Sequence, residues 1–252
     1  MMQNIIIPLI LSTLAGLSTL IGAIPIFFKI KEKNLNKFIS FCLSFSIAIM
    51  ISISILDLIP TSFFEITNVY GVGRSILVLI ISFFISYIII TYLSNLIDKE
   101  NKGVDLYKLG ILNMIVLILH NLPEGIATFL SSYHSTSLGI KLSLAIMLHN
   151  IPEGISIAVP IYYATKSRKK AIKATFISGL SEPLGAILAF LFLKRFVSDV
   201  MISIVLIVVA GLMITLSIQE MFPKVVKYNE RKYLYLGLII GTILVIINVL
   251  IS

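Results

Sequence analysis

Eight long apolar stretches limit what this chain can fold into. They run at about 4–28, 38–60, 74–97, 108–131, 138–163, 171–193, 199–222 and 233–251, with short polar connections between them. A helix rises about 1.5 Å per residue, so each stretch can cross a hydrocarbon core about 30 Å thick. Lipid offers the backbone no hydrogen-bond partners, which leaves helices and closed barrels as the only spanning structures. The stretches lack the alternation of barrel strands. The expectation is an all-α polytopic membrane protein with eight transmembrane helices. Composition agrees, since 58% of the 252 residues are hydrophobic and 13% are charged, against about 25% charged in a soluble domain. No connection is long enough for a second domain, so residues 1–252 read as one transmembrane domain. The longest connection, about 98–107, is polar and expected to be flexible. The first stretch has no basic leader and is too long for the apolar core of a cleaved signal peptide. The single cysteine, Cys42, leaves no internal disulfide and no cysteine-based zinc cluster.

The net charge of +8 invites a nucleic-acid reading, but its distribution gives a plainer one. Lys29, Lys31, Lys33 and Lys37 lie in the first connection, and Lys99, Lys102 and Lys108 in the third. Lys166, Arg168, Lys169, Lys170 and Lys173 lie in the fifth, and Lys224, Lys227, Arg231 and Lys232 in the seventh. The intervening connections hold only Arg74, Lys141, Lys194 and Arg195. The excess of positive charge on cytoplasmic loops puts the odd-numbered connections inside and both termini outside, extracellular or periplasmic. The expected location is the cell (inner) membrane. The basic residues then serve topology and lipid contact, and nucleic acid is not an expected partner.

Within the fourth stretch stands His120-Asn121-Leu122-Pro123-Glu124-Gly125, and within the fifth, 29 positions later, His149-Asn150-Ile151-Pro152-Glu153-Gly154. On a helix the His and Glu of each copy lie one turn apart on one face. Each Pro removes a backbone donor and frees the carbonyl of Leu119 or Leu148. The two spans form an antiparallel hairpin with its tip within 135–138. Measured from that tip, His120 is level with Glu153 and Glu124 with His149. Two layers follow, about 6 Å apart, each pairing an imidazole with a carboxylate. An ionisable group at mid-membrane costs from roughly 2.5 kcal/mol upward, so helix packing is a poor reason to keep four. Two imidazoles, two carboxylates and neighbouring amide oxygens suit a divalent first-row metal ion.

Other polar residues fall within the stretches. Glu182 lies deep in the sixth, beside Pro183 in Ser178-Gly179-Leu180-Ser181-Glu182-Pro183, and is expected in the ligand set or the ion path. Asp57, near the outer end of the second stretch, and Glu220, near the inner end of the seventh, each precede two apolar residues and a Pro. That likeness suggests an inverted repeat relating spans 1–3 to spans 6–8 around the central 4–5 hairpin, with gate or entrance roles weighed evenly against interfacial carboxylates in water. Met50 is placed at a depth where its thioether would reach the site as a soft ligand, against a packing role. Asn113, Ser46 and Ser178 are weaker candidates for a path. His134 is expected in the outer turn, Cys42 in the core, and Gly16, Gly22, Gly179 and Gly185 at close helix contacts.

Taken together, the sequence resembles the ZIP (Zrt/Irt-like) family of metal transporters, its bacterial ZupT-type branch above all. The resemblance rests on the paired His-Asn-x-Pro-Glu-Gly motifs, Ser-Gly-Leu-Ser-Glu-Pro in the sixth span, and the acid-x-x-Pro segments of the second and seventh. It implies import of divalent cations into the cytoplasm, zinc first, with iron, manganese, cobalt or cadmium as further substrates. It also implies a two-metal site. One metal would use His120, Glu124, His149 and Glu153, with Met50. Its neighbour would use Asn121, Asn150 and Glu182, with Glu124 and Glu153 bridging. Asp57 stands where close relatives carry Glu, and the histidine-rich loop of many eukaryotic members is absent. The expected partners are the transported ions and membrane lipids, with a homodimer left open. No catalytic cofactor and no catalytic residue is expected. An intramembrane zinc hydrolase is the alternative, but the sequence holds no His-Glu-x-x-His and no Gly-x-Ser-x-Gly, and both carboxylates are taken as ligands.

Overall fold

A computed structural model describes residues 3–100, 105–193 and 198–251. Part of the polar 98–107 connection, and Lys194 with Arg195, lie outside the described residues. Among those described, the regular structure is helical and holds no strand. Eight helices are long and apolar enough to cross a membrane. They are α1 (Ile5–Phe27), α2 (Glu32–Tyr70), α3 (Val72–Ile97), α4 (Leu106–His134), α5 (Thr136–Thr165), α6 (Arg168–Leu191), α7 (Val200–Lys227) and α8 (Arg231–Leu250).

Two helices run past the point where the sequence suggests a stop. Pro60 and Pro223 read as span ends, yet α2 continues to Tyr70 and α7 to Lys227. In both, one wide π turn precedes the proline, Ser54–Leu58 in α2 and Ser217–Met221 in α7. Each proline then stands in the first turn of the following α segment, where its missing N–H is not needed. Asp57 and Glu220 both lie within these turns and so within continuous helix.

The helices pack in two groups. The hairpin α4–α5 is flanked by α6 on the α4 side and by α1 on the α5 side, while α2 packs on α8 and α3 on α7. Small residues bring the first group to backbone contact. A methyl on Gly125 would run into the carbonyl of Glu182, and one on Gly185 into that of Leu122. Across the hairpin, Gly154 meets the Thr19 carbonyl and Gly22 the Ile151 carbonyl, while Gly16 and Gly179 oppose each other. The α1 backbone tightens into a 3₁₀ stretch over Thr19–Phe27 where it passes Gly154. Helix α2 is the most buried, whereas α3 and α8 present mostly apolar outer faces.

The basic connections meet at one end. Arg168, at the start of α6, stands 5.1 Å over the Phe27 ring at the end of α1. Lys37, early in α2, stands 5.8 Å over the Tyr233 ring at the start of α8. Lys108, at the start of α4, lies 3.7 Å from Glu220 near the end of α7. The α4–α5 tip, capped by Ser135, belongs to the other end, and His134 is exposed there. Cys42 is a free, buried thiol.

Candidate metal site

The two proline-containing motifs fall within unbroken helix in α4 and α5. Backbone groups around them are taken up by neighbours. The Ser46 hydroxyl donates to the Pro152 carbonyl at 2.7 Å, and the Ser18 hydroxyl to the Met147 carbonyl at 3.2 Å. The Asn113 amide donates to the Ser156 carbonyl at 2.7 Å, stapling the hairpin below the motifs.

The structure joins the two layers into one cluster. His120 Nε2 lies 3.2 Å from Glu153 Oε1, and His149 Nε2 lies 3.1 Å from Glu124 Oε1. His120 Nε2 also lies 3.2 Å from Glu124 Oε1, its own neighbour one turn on. The two imidazole centroids are 6.2 Å apart. His120 and Glu153 are wholly buried, and Glu124 and His149 nearly so. One donor atom each from His120, Glu124 and His149 fall within 4.8 Å of one another. Carboxylate oxygens Glu124 Oε2 and Glu153 Oε2 have no hydrogen-bond partner in the protein. Leaving such acceptors bare in an apolar interior is costly, so the cluster is complementary to a cation.

A second polar group lies on the motifs' asparagines. The Asn150 amide donates to Glu182 on α6 and, at 3.0 Å, to the Ala15 carbonyl on α1. The Asn121 amide donates to the Ser178 carbonyl at 3.4 Å. Both amides thus spend their N–H groups on anchors and leave Asn121 Oδ1 and Asn150 Oδ1 unpartnered, along with Glu182 Oε2. All three bare oxygens belong to buried side chains and are hard donors of the kind that divalent ions take. Met50 is fully buried on α2, with its sulfur 3.9 Å from the Ser217 hydroxyl on α7. Asp57 is exposed and accepts from Thr61 at 3.4 Å.

Two contributions are invisible in side-chain patterns. Helix α1 reaches the site through the backbone carbonyl of Ala15, which no residue type announces. Glu220 is held by Ser94 at 2.6 Å, Lys224 at 2.9 Å and Lys108 at 3.7 Å. The Lys224 spacing was legible as i,i+4, but Ser94 and Lys108 come from α3 and α4.

Eight helices long and apolar enough to cross a membrane, with two imidazoles and two carboxylates buried among them, match a membrane transporter for a cation. The comparisons narrow that class. Residues 97–248 match the family model described as ZIP Zinc transporter. The chain is 39% identical to the zinc transporter ZupT of Oceanobacillus iheyensis, covering 99% of both chains. It is 37% identical to that of Lysinibacillus sphaericus over 94% of both chains. With that of Clostridium perfringens it is 34% identical, over 99% of this chain and 97% of the other. The protein belongs to the ZIP family of zinc transporters, and so is a transporter and not an enzyme.

Proposed function

We propose that this protein imports divalent cations, zinc first, into the cytoplasm through the α4–α5 hairpin. The observation that carries the proposal is the meeting of His120, Glu124, His149 and Glu153 at 3.1–3.2 Å in the bundle interior. These groups replace the hydration shell that the ion sheds on entry. The oxygens of Asn121, Asn150 and Glu182 would take a second ion, with Glu124 and Glu153 shared between the two. The relatives' names support zinc; iron, manganese, cobalt and cadmium fit the same nitrogen and oxygen donors, since such sites discriminate by geometry and supply.

The basic connections set the orientation, with the lysine-rich end in the cytoplasm and both termini outside. An inward-negative potential then favours entry of a doubly charged ion by about 4.6 kcal/mol per 100 mV. The likeness of α2 and α7 supports an inverted repeat. The backbone contacts among α1, α4, α5 and α6 suggest that these helices move as a unit against α2, α3, α7 and α8. The hydrolase alternative gains nothing from the geometry, because both motif carboxylates face imidazoles and neither is left over as a base.

The test is uptake of radioactive zinc into proteoliposomes by the wild type and by His120→Ala/His149→Ala. Zinc accumulation in the wild type, abolished in the double variant, is the expected result. Folded wild-type protein that moves no zinc under either polarity of membrane potential would overturn the importer reading.

A further inference from the structure

At the lysine-rich end, the connection between α1 and α2 and the first turns of α2 and α8 enclose a groove of about 740 Å³. Lys29, Lys31, Lys33 and Lys37 line it, together with Phe38, Phe41, Tyr233 and Leu236. Among the described residues, no carboxylate lines it. Glu32, the only acidic residue between Phe28 and Phe38, is exposed and is not among the lining residues. Glu230, the nearest acid before α8, lines a separate groove on the α7 side. The walls are joined by Lys37, whose ammonium stands over the Tyr233 ring.

We propose that this groove binds one anionic phospholipid. Four lysines in the lining match a phosphate headgroup, and they stand at a helix end where headgroups lie in a membrane. The aromatic and aliphatic residues match acyl chain. Below them α8 continues with an outward apolar face, Ile239, Ile240 and Ile243 each at least 40% exposed, along which the chain descends. A soluble phosphate ligand would have no use for this apolar continuation, so the surface is assigned to a lipid. Binding there ties α8 to the α1–α2 connection, which joins the two groups of helices. The site does not depend on the metal chemistry proposed above.

The test is native mass spectrometry of the full-length protein in detergent, with added phosphatidylglycerol, phosphatidylcholine or inorganic phosphate. The wild type is expected to retain one phosphatidylglycerol in preference to phosphatidylcholine. Lys31→Gln/Lys33→Gln/Lys37→Gln is expected to retain it about tenfold less or weaker still. Lys169→Gln/Lys170→Gln/Lys173→Gln, with the same loss of charge elsewhere at this end, should retain it as the wild type does. The single exposed variant Lys31→Glu gives the same direction should the triple variant not fold. Equal retention of both lipids, equal loss in the two triple variants, or displacement of the lipid by millimolar inorganic phosphate would each overturn the proposal. Retention is read without transport, so a failed zinc assay leaves this result standing.

Discussion

The Ser217 hydroxyl on α7 lies 3.9 Å from the Met50 sulfur on α2, and the Ser54 hydroxyl on α2 lies 3.9 Å from the Met213 sulfur on α7. Each Ser follows its own helix's Met by one turn, and each heads a π turn that carries an acid, Asp57 or Glu220. All four pairs of equivalent positions, Met50 and Met213 through Pro60 and Pro223, are separated by 163 residues. A reciprocal contact of this kind supports the inverted repeat proposed above for α2 and α7. It also fixes the side of Met50 that faces α7.

That contact sharpens the test of Met50 as a ligand. Met50→Leu keeps the volume and is expected to cost less than about 1.5 kcal/mol of stability, whereas Met50→Ala leaves a cavity and costs about 2–5 kcal/mol. Thermal unfolding in detergent reads both. A thioether ligand favours soft ions, so cadmium uptake by Met50→Leu should fall more than zinc uptake. An equal fall for both ions would leave Met50 a packing residue.

The glycine contacts make a prediction with an internal control. Gly125→Ala and Gly154→Ala press a methyl onto the backbone of α6 and α1, which cannot give as a side chain tip can. Each is expected to lower stability by about 1–3 kcal/mol, seen as a lower unfolding temperature. Gly73→Ala, with open space around it in the first turn of α3, should be neutral or stabilising by up to about 1 kcal/mol. Similar behaviour at all three positions would mean that the close approach does not matter.

The spans and the central cluster were legible because their causes are local. Apolar runs of membrane length follow from hydropathy, and the layers of His120 with Glu153 and Glu124 with His149 follow from helical spacing and one short turn. The continuation past Pro60 and Pro223 was not legible, since a π turn that accommodates a proline leaves no composition signal. The part of α1 was hidden because Ala15 acts through its carbonyl. The Met–Ser pairs were present in the sequence at i,i+4, but Met and Ser in membrane helices are so common that only their reciprocal contact distinguishes them.

Glu220 draws Lys108 and Lys224 together at the lysine-rich end, with all three side chains only 11–14% exposed. Glu220→Gln removes the carboxylate that Lys224 and Lys108 share. It is expected to cost on the order of 1–3 kcal/mol, more than Lys108→Gln, which leaves the Lys224 pair intact. The double variant should be less unstable than the sum of the two. Molar salt should narrow the gap between Glu220→Gln and the wild type by screening the repulsion. Unfolding curves at low and high salt measure this. Additive, salt-independent losses would mean that the three charges act separately.

Glu182 offers the cleanest separation of charge from shape at the second proposed ion. Asn150 donates to one of its oxygens, and glutamine can present a carbonyl oxygen at the same place. Glu182→Gln therefore keeps the anchor between α5 and α6 while removing the negative charge. The unfolding temperature should change little, yet bound zinc at saturation should fall from two ions per chain to one. His149→Ala should instead weaken the ion held at the His–Glu cluster. Metal analysis after equilibrium dialysis counts the ions in each variant. Two ions bound at unchanged affinity by Glu182→Gln would remove Glu182 from the ligand set and leave it as the residue that orients Asn150.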